Sequence, residues 1–260
     1  MPHLLNVWPT VSQQLQDAPC LLLLFDYDGT LAPIVPRPDL AVLPSETRDL
    51  LTSLGSCNRY ILGVISGRSL ADVRERVGVP NIIYAGNHGL EIEGPGIRFL
   101  HPQAEALKTV LDQVYEQLCP QIADYPGVIV EHKGLTLSVH YRLTPEDLVG
   151  QVSSAFRTIV SSFNDATPVK ITWGKKVLEV RPDVPWDKGR AIAKLRETFP
   201  QATLTMFFGD DLTDEDGFNV VQEAGGIAVF VGPARQPTRA LYRVDSPQEV
   251  AETLRLMDQL

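Results

Sequence analysis

Residues 21–30, LLLLFDYDGT, carry a run of five apolar residues directly into two aspartates and a glycine. A short apolar run with such flanks predicts a strand that is buried on both faces, as in a parallel sheet. The strand would place Asp26 and Asp28 at its carboxyl end, where open α/β sheets bind their ligands. Two carboxylates this close repel each other, and a divalent cation or a shared proton would relieve the repulsion. A lone D-x-D-G segment is equally typical of a surface turn, so the rest of the chain has to decide between a site and a turn.

Further short apolar runs follow along the chain, and helical stretches separate them. The apolar runs are residues 60–65, 82–85, 204–208 and 227–231, and the helical stretches are residues 44–54, 69–77, 188–198 and 214–224. Alternation of short strands with helices predicts an α/β fold with a doubly wound parallel sheet, which is a Rossmann-like core.

The middle of the chain has a different pattern. Residues 103–118 show helical periodicity, a hairpin follows over 128–142 with its turn at Gly134, and a second helix precedes another hairpin over 168–181 around Gly174. This order predicts a small α+β cap domain with an antiparallel sheet. We therefore expect a core domain made of residues 1–102 and 183–260, with a cap domain inserted at 103–182.

Composition limits the function classes. The 260 residues carry a net charge of −9 without a basic run, which argues against binding to nucleic acid or to a membrane surface. Cys20, Cys57 and Cys119 are odd in number and lack metal-site spacing, as is typical of reduced thiols. No signal peptide or membrane-spanning run is evident in the sequence, so we expect a cytoplasmic protein.

Four predicted strands end on polar residues, and the carboxyl ends of parallel strands share one edge of a sheet. We therefore expect these residues to converge, together with Lys188 at the start of the helix that follows the insertion. Carboxylates for a hard cation, a hydroxyl group and an ammonium group suit Mg²⁺-dependent phosphoryl transfer. The strand-end residues are Asp26 and Asp28, Ser66 and Arg68, Asn87 and His88, and Asp210 and Asp211.

Specific motifs carry a resemblance to known families. Asp-Tyr-Asp-Gly-Thr-Leu at 26–31, Ser66, Lys188 and the segment from Gly209 to Glu215 resemble the four signature segments of haloacid-dehalogenase-type phosphatases. The inserted unit looks like the C2 class of caps in that superfamily. Within the class, further motifs look like those of the trehalose-6-phosphate phosphatase family: Ser66-Gly67-Arg68, the segment from Gly86 to Glu91, His140-Tyr141-Arg142, and Lys176-x-x-Glu179-x-Arg181-Pro182.

This resemblance implies residue roles. Asp26 would be the nucleophile and a metal ligand, and Asp28 would be first the general acid and then the general base. Asp28 would also contact the metal through its backbone carbonyl. Ser66 would bind phosphoryl oxygens and Lys188 would neutralise charge, while the remaining metal-site residues would be Asp210, Asp211 and Asp214.

Polar residues elsewhere are candidates for substrate binding. In the hairpins of the predicted cap, residue parity places the polar side chains on one face of the sheet. Such a face is often simply solvated in antiparallel sheets, and binding of sugar hydroxyls is the functional alternative. The substrate-binding candidates are Arg68, Asn87, His88, Lys133, Arg142, Lys175 and Glu179.

The resemblance implies an Mg²⁺-dependent phosphatase that hydrolyses trehalose 6-phosphate to trehalose and phosphate through an aspartyl-phosphate. One alternative substrate is another phosphorylated glycoside, such as glucosylglycerol phosphate or mannosylglycerate phosphate. A different class is a non-catalytic phospho-accepting or sugar-phosphate-binding protein, although every expected catalytic residue type is present. We expect a monomer, with functional coupling to a trehalose-phosphate synthase.

Overall fold

The computed structural model describes residues 1–164, 168–233 and 237–260. These residues fall into two compact units. The first unit comprises Met1–Val35, Asp39–Phe99 and Trp186–Leu260, and the second comprises Leu100–Pro185 together with Pro36–Pro38. None of the helices in the described ranges combines the length and the apolar character that crossing a bilayer requires.

The described chain contains both strands and helices. The strands are β1 Leu21–Phe25, β2 Tyr60–Ile65, β3 Ile83–Gly86, β4 Glu91–Gly94, β5 Ile97–Leu100, β6 Ile129–His132, β7 Leu137–His140, β8 Val169–Gly174, β9 Val177–Pro182, β10 Leu204–Gly209, β11 Ile227–Val231 and β12 Tyr242–Val244. The α-helices are α1 Trp8–Asp17, α2 Ser45–Ser56, α3 Leu70–Val77, α4 Pro102–Ala106, α5 Lys108–Ile122, α6 Glu146–Asn164, α7 Lys188–Thr198, α8 Glu215–Glu223 and α9 Pro247–Met257.

Among the described residues, the first unit carries an eight-stranded sheet in the order β12-β11-β10-β1-β2-β3-β4-β5. The pairs from β12 to β3 are parallel, whereas β4 runs antiparallel to β3. The predicted doubly wound parallel sheet is confirmed, and the five predicted strands are β1, β2, β3, β10 and β11. The sequence pattern does not predict β4, β5 or β12, because these short strands lack a continuous apolar run.

Strand β1 illustrates how the apolar run specifies this architecture. All five of its residues are buried. Leu21, Leu23 and Phe25 belong to a hydrophobic cluster on one face of the sheet, and Leu22 and Leu24 belong to a second cluster. Because burial of each leucine side chain contributes about 1.5–3 kcal/mol, the run stabilises helical layers on both faces.

The second unit contains a four-stranded antiparallel sheet in the order β6-β7-β9-β8. Its hydrophobic cluster joins alternate strand residues to α5 and α6. Leu178 and Val180 of β9 lie in this cluster, while Glu179 between them is on the opposite face of the sheet. The predicted order of helix, hairpin, helix and hairpin is confirmed, and so is the predicted parity of β9.

The two hairpins of this unit turn differently. Gly134 lies between β6 and β7 with a φ of 82°, as predicted. In the second hairpin Gly174 still pairs with Val177, so Lys175 and Lys176 make the turn. The predicted second hairpin is therefore present, but its turn begins one residue after Gly174. The physical reason is that Lys176, with a φ of 66°, adopts the left-handed conformation that glycine more commonly supplies.

Candidate active site

The carboxyl ends of the central strands bring several predicted site residues to one edge of the sheet. β1 pairs with β2 on one side and with β10 on the other, and its last residue, Phe25, lies opposite the residue before the last in each of these strands. Asp26 and Ser66 directly follow β1 and β2, and Asp210 follows β10. A backbone hydrogen bond fixes Asp26 beside β10, because the Asp26 amide donates to the carbonyl of Phe208 at 2.9 Å.

Three buried carboxylates meet at this edge. One oxygen from each of Asp26, Asp210 and Asp214 lies within 4.8 Å of the other two. The backbone positions Asp214, since the amides of Asp210 and Asp211 each donate to its Oδ2 at 3.0 Å. Gly29 has a φ of 96° and lies so close to Asp210 that a Cβ would collide with the carboxylate. Glycine in the D-x-D-G segment is therefore needed for the approach of the loop to Asp210.

Lys188 supplies positive charge to this cluster. Its Nζ lies 2.6 Å from Oδ1 of Asp26 and 2.6 Å from Oδ1 of Asp214, and its side chain is 3% exposed. Burial alone would lower the pKa of Lys188, but the carboxylates of Asp214 and Asp26 outweigh burial and raise it. The amine therefore stays charged. Asp187 caps helix α7 by accepting from the backbone amide of Arg190, which fixes the start of the helix at Lys188.

The cluster carries more negative charge than Lys188 can neutralise. Its three carboxylates and one ammonium leave an excess of two negative charges when all are ionised. Burial raises the pKa of Asp26, and the Asp214 and Asp210 carboxylates raise it further, against the opposing effect of Lys188. Buried carboxylate oxygens with this excess charge fit a hard divalent cation. Asp26, Asp210 and Asp214 are the residues that could hold it.

Asp28 is paired with Arg68. The Arg68 guanidinium donates from Nε to Oδ2 of Asp28 at 2.6 Å and from Nη2 to Oδ1 at 2.7 Å. The Asp28 side chain is 41% exposed, whereas that of Arg68 is 7% exposed and lies over the ring of Tyr27. Arg68, predicted as a substrate ligand, thus contacts the predicted general acid directly.

The loops after β2 and β3 are tied together through their backbones. The Ser66 carbonyl accepts from the amide of His88 at 2.8 Å, and the Arg68 carbonyl accepts from the amide of Asn87 at 2.7 Å. Asn87 and His88 have φ values of 48° and 58°, which is costly for residues other than glycine and is common at functional sites. Ser66 Oγ accepts from the Arg68 amide at 3.2 Å. The structure thus joins these predicted residues, while their contacts with a substrate stay predictions.

Asp211 has a different surrounding from the other predicted metal-site residues. Its carboxylate accepts from the backbone amide of Leu212 and caps the 3₁₀ turn at Leu212–Asp214. Within the described part of the chain, the three-carboxylate cluster contains Asp214 and not Asp211. Direct ligation of a metal by Asp211 stays a prediction.

Glu179 lies at the centre of a polar group in the second unit. Its Oε1 accepts from Lys133 Nζ at 3.2 Å and from Ser138 Oγ at 3.3 Å. The Lys133 and Glu179 side chains are 8% and 9% exposed. Arg142 lies beyond β7, is exposed, and donates to the carbonyl of Lys175 at 2.8 Å. The structure therefore groups the four cap candidates into two pairs, Lys133 with Glu179 and Arg142 with Lys175.

Three residues that the sequence analysis does not assign to the site hold the predicted ones: Asp72, Arg76 and Glu91, of which Glu91 ends one of the quoted motifs. Glu91 Oε1 accepts from Asn87 Nδ2 at 2.8 Å, and it also accepts from the first backbone amide of α3. Asp72 accepts from Arg68 and from Arg76. Residues 68, 72 and 76 carry charges of alternating sign at a spacing of four residues. This spacing is the sequence signal that could reveal the contacts of Asp72 and Arg76.

The fold defines a class of protein. A parallel-dominated sheet with helices is shared with haloacid dehalogenase-like hydrolases. A solved haloacid dehalogenase-like hydrolase from Bacteroides thetaiotaomicron has a TM-score of 0.61 and is 16% identical, covering 92% of this chain and 99% of that chain. At this identity the likeness shows the fold alone.

The family follows from closer comparisons. The family model described as trehalose-phosphatase matches residues 24–248, so the chain belongs to this family. Trehalose-phosphate phosphatase of Mycobacterium tuberculosis (strain ATCC 25618 / H37Rv) is 41% identical over 244 residues, which are 91% of this chain and 61% of that protein. The C-terminal domain of trehalose-6-phosphate phosphatase from C. albicans is 27% identical with a TM-score of 0.81, covering 100% of this chain and 98% of that chain. This chain spans about three fifths of the curated relatives' length.

Proposed function

We propose that this chain hydrolyses trehalose 6-phosphate to trehalose and phosphate, through an aspartyl-phosphate on Asp26. The observation that carries the proposal is the buried Asp26 carboxylate with the Lys188 ammonium 2.6 Å away, beside two further carboxylates. Membership of the trehalose-phosphatase family supports the choice of substrate. The relatives that bear the name of this activity support it as well.

Asp26 is the nucleophile in the first half of the reaction. One of its oxygens forms a bond to phosphorus while the bond between phosphorus and the sugar oxygen breaks. Asp28 donates a proton to that sugar oxygen, which leaves as a hydroxyl group. Lys188 holds the Asp26 carboxylate in place, and its charge offsets the charge of the phosphoryl group. The Ser66 hydroxyl donates to a phosphoryl oxygen.

Water completes the reaction in the second half. Its oxygen attacks phosphorus, its proton passes to Asp28, and the bond between phosphorus and Asp26 breaks. Asp28 is thereby returned to the protonated form and Asp26 to the carboxylate. The half-exposed side chain of Asp28 suits this exchange with water better than a buried one would.

The metal of this site would be Mg²⁺. Asp26, Asp210 and Asp214 would hold the cation with the backbone carbonyl of Asp28, and Asp211 would support them. When bound, Mg²⁺ neutralises charge on the transferring phosphoryl group. The excess of two negative charges in the cluster is the observation that favours a divalent over a monovalent cation.

Polar residues of each unit are our candidates for substrate binding. In the second unit, hydroxyl groups of the sugar would be partners for the buried pair Lys133 and Glu179 and for Arg142 and Lys175. In the first unit, Arg68, Asn87 and His88 would contact the phosphoryl group or its sugar.

The remaining expectations concern the setting of the protein. A cytoplasmic monomer is our proposal, supported by the free thiols of Cys20, Cys57 and Cys119. Since the substrate is a phosphorylated disaccharide, a trehalose-phosphate synthase would supply it.

Phosphate release from a panel of substrates tests the function. We expect rapid release from trehalose 6-phosphate in Mg²⁺, and loss of release in EDTA that Mg²⁺ reverses. Glucosylglycerol phosphate and mannosylglycerate phosphate are the controls for the sugar. Faster hydrolysis of either control would overturn the substrate, and the absence of release from every member of the panel would overturn the enzymatic function.

A further inference from the structure

A series of ion pairs leads from helix α3 to Asp28. Arg76 Nε donates to both oxygens of Asp72 at 2.8 and 2.9 Å, and Arg68 Nη1 donates to Oδ2 of Asp72 at 2.6 Å. The other edge of the Arg68 guanidinium, through Nε and Nη2, donates to both oxygens of Asp28. Asp72 and Arg76 are thereby linked to the predicted general acid through Arg68.

The far end of this series is fixed to the backbone. Arg76 Nη1 donates to the carbonyl of Ala41 at 3.0 Å. The hydroxyl of Tyr27, the residue between the two catalytic aspartates, donates to the same carbonyl at 3.2 Å. Arg68 also lies over the Tyr27 ring, with its Cζ 5.2 Å from the ring centroid. The loop that carries Asp28 and the side chains that hold it thus share one anchor.

We propose that Asp72 and Arg76 are positioning residues, which orient the Asp28 carboxylate by holding Arg68. The inference rests on the proposed function, because it takes Asp28 as the group that transfers the proton. Two parallel bonds from a planar guanidinium fix the plane of a carboxylate, which a single bond does not. Each carboxylate oxygen keeps a second acceptor direction, so this hold leaves room for the sugar oxygen or water.

Burial separates this series from ordinary surface pairs. Arg68, Asp72 and Arg76 have side chains that are 7%, 26% and 20% exposed. On the same helix Arg74 pairs with Glu93 at 2.7 Å, but these side chains are 49% and 33% exposed. Exposed pairs are screened by solvent and fix geometry weakly, whereas partly buried pairs keep more of their strength. Arg74 is therefore a matched control for Arg76.

The test compares Asp72→Asn and Arg76→Gln with the control Arg74→Gln. kcat/KM is measured in Mg²⁺ on aryl phosphates whose leaving groups range from strongly activated to poor. The logarithm of kcat/KM is plotted against the pKa of the leaving group. The slope of this plot for Asp28→Asn is the slope expected when the acid is lost. A general acid matters most when the leaving group is poor. We expect both variants to lose about tenfold on the poorest leaving group and less than about threefold on the most activated. Arg74→Gln should keep the wild-type slope.

Several outcomes would overturn the inference. Equal losses on all aryl phosphates would mean that the series only supports the fold, and urea midpoints of the variants would then show the matching loss of stability. An unchanged slope in both variants, a changed slope in Arg74→Gln, or an unchanged slope in Asp28→Asn would each refute the positioning role. Wild-type hydrolysis of trehalose 6-phosphate is scored separately. Cleavage of the aryl phosphates without cleavage of trehalose 6-phosphate would refute the proposed substrate. In that case the slopes for the aryl phosphates would still test the positioning role.

Discussion

Replacement of Lys188 by methionine removes the ammonium group that lies 2.6 Å from both Asp26 and Asp214. Side-chain length is nearly kept, so the change is mainly one of charge. Removing one partner of a buried ion pair costs about 3–5 kcal/mol, because the other charge stays buried without compensation. Lys188 serves two carboxylates, so we expect the free energy of unfolding in EDTA to fall by about 4–5 kcal/mol.

Urea unfolding followed by tryptophan fluorescence measures this loss in the unit that contains Lys188. Trp8 and Trp186 belong to the first unit and Trp173 to the second. A Trp173→Phe background therefore makes the signal specific for the first unit. Lys194→Met on the same helix is the matched control, since its Nζ lies 6.0 Å from the Phe99 ring centroid, and it should cost less than about 1 kcal/mol.

Mg²⁺ should stabilise the Lys188→Met variant more than it stabilises the wild type. Without the ammonium group, the three carboxylates would carry a larger excess of negative charge, which a divalent cation offsets. A loss below about 1 kcal/mol in EDTA would refute the reasoning, because it would mean that the ion pairs of Lys188 with Asp26 and Asp214 do not stabilise the fold. A loss of phosphatase activity without this loss of stability would not support the reasoning.

Three further predictions follow from the site and its surroundings. Asp26→Asn should keep the circular dichroism spectrum and lose phosphate release; a rate above about a hundredth of wild type would contradict covalent catalysis there. Arg142→Ala should lower kcat/KM for trehalose 6-phosphate about tenfold and spare a small aryl phosphate, because this exposed side chain does not support folding; equal losses would contradict sugar binding. Burial would raise the pKa of Asp72, but Arg76 and Arg68 lower it overall, so Asp72 stabilises the fold above about pH 3.9 and less as the pH falls below that value. The difference in urea midpoint between wild type and Asp72→Asn should therefore shrink on acidification, and a constant difference would contradict the pairing.

The placement of the central strands could be predicted from the sequence because each carries its own signal. The β1 run is apolar on both faces, and a short run of this kind is typical of a central strand in a parallel sheet. Once the parallel sheet is accepted, its topology brings Asp26, Ser66 and Asp210 to one edge without further information. This part of the site is a consequence of register, not of side-chain packing.

The pairing of side chains could not be predicted in the same way. The pattern places Asp211 and Asp214 equally near the edge, and only the fold of the turn decides that Asp214 faces Lys188 while Asp211 caps the turn. Arg68 and Asn87 are polar residues near strand ends whether or not they bind a substrate. Whether they meet a substrate or another side chain depends on the residues that hold them, such as Asp72 and Glu91.

The arrangement around Lys188 divides the neutralisation of charge between the protein and a cation. Backbone amides hold Asp214 and a buried ammonium holds Asp26. The remaining excess of negative charge cannot be removed by Lys188, which already contacts both. Such a site fixes two carboxylates through the protein itself and keeps an excess of negative charge that favours a divalent cation. That combination suits phosphoryl transfer, in which positioning and charge neutralisation supply most of the rate.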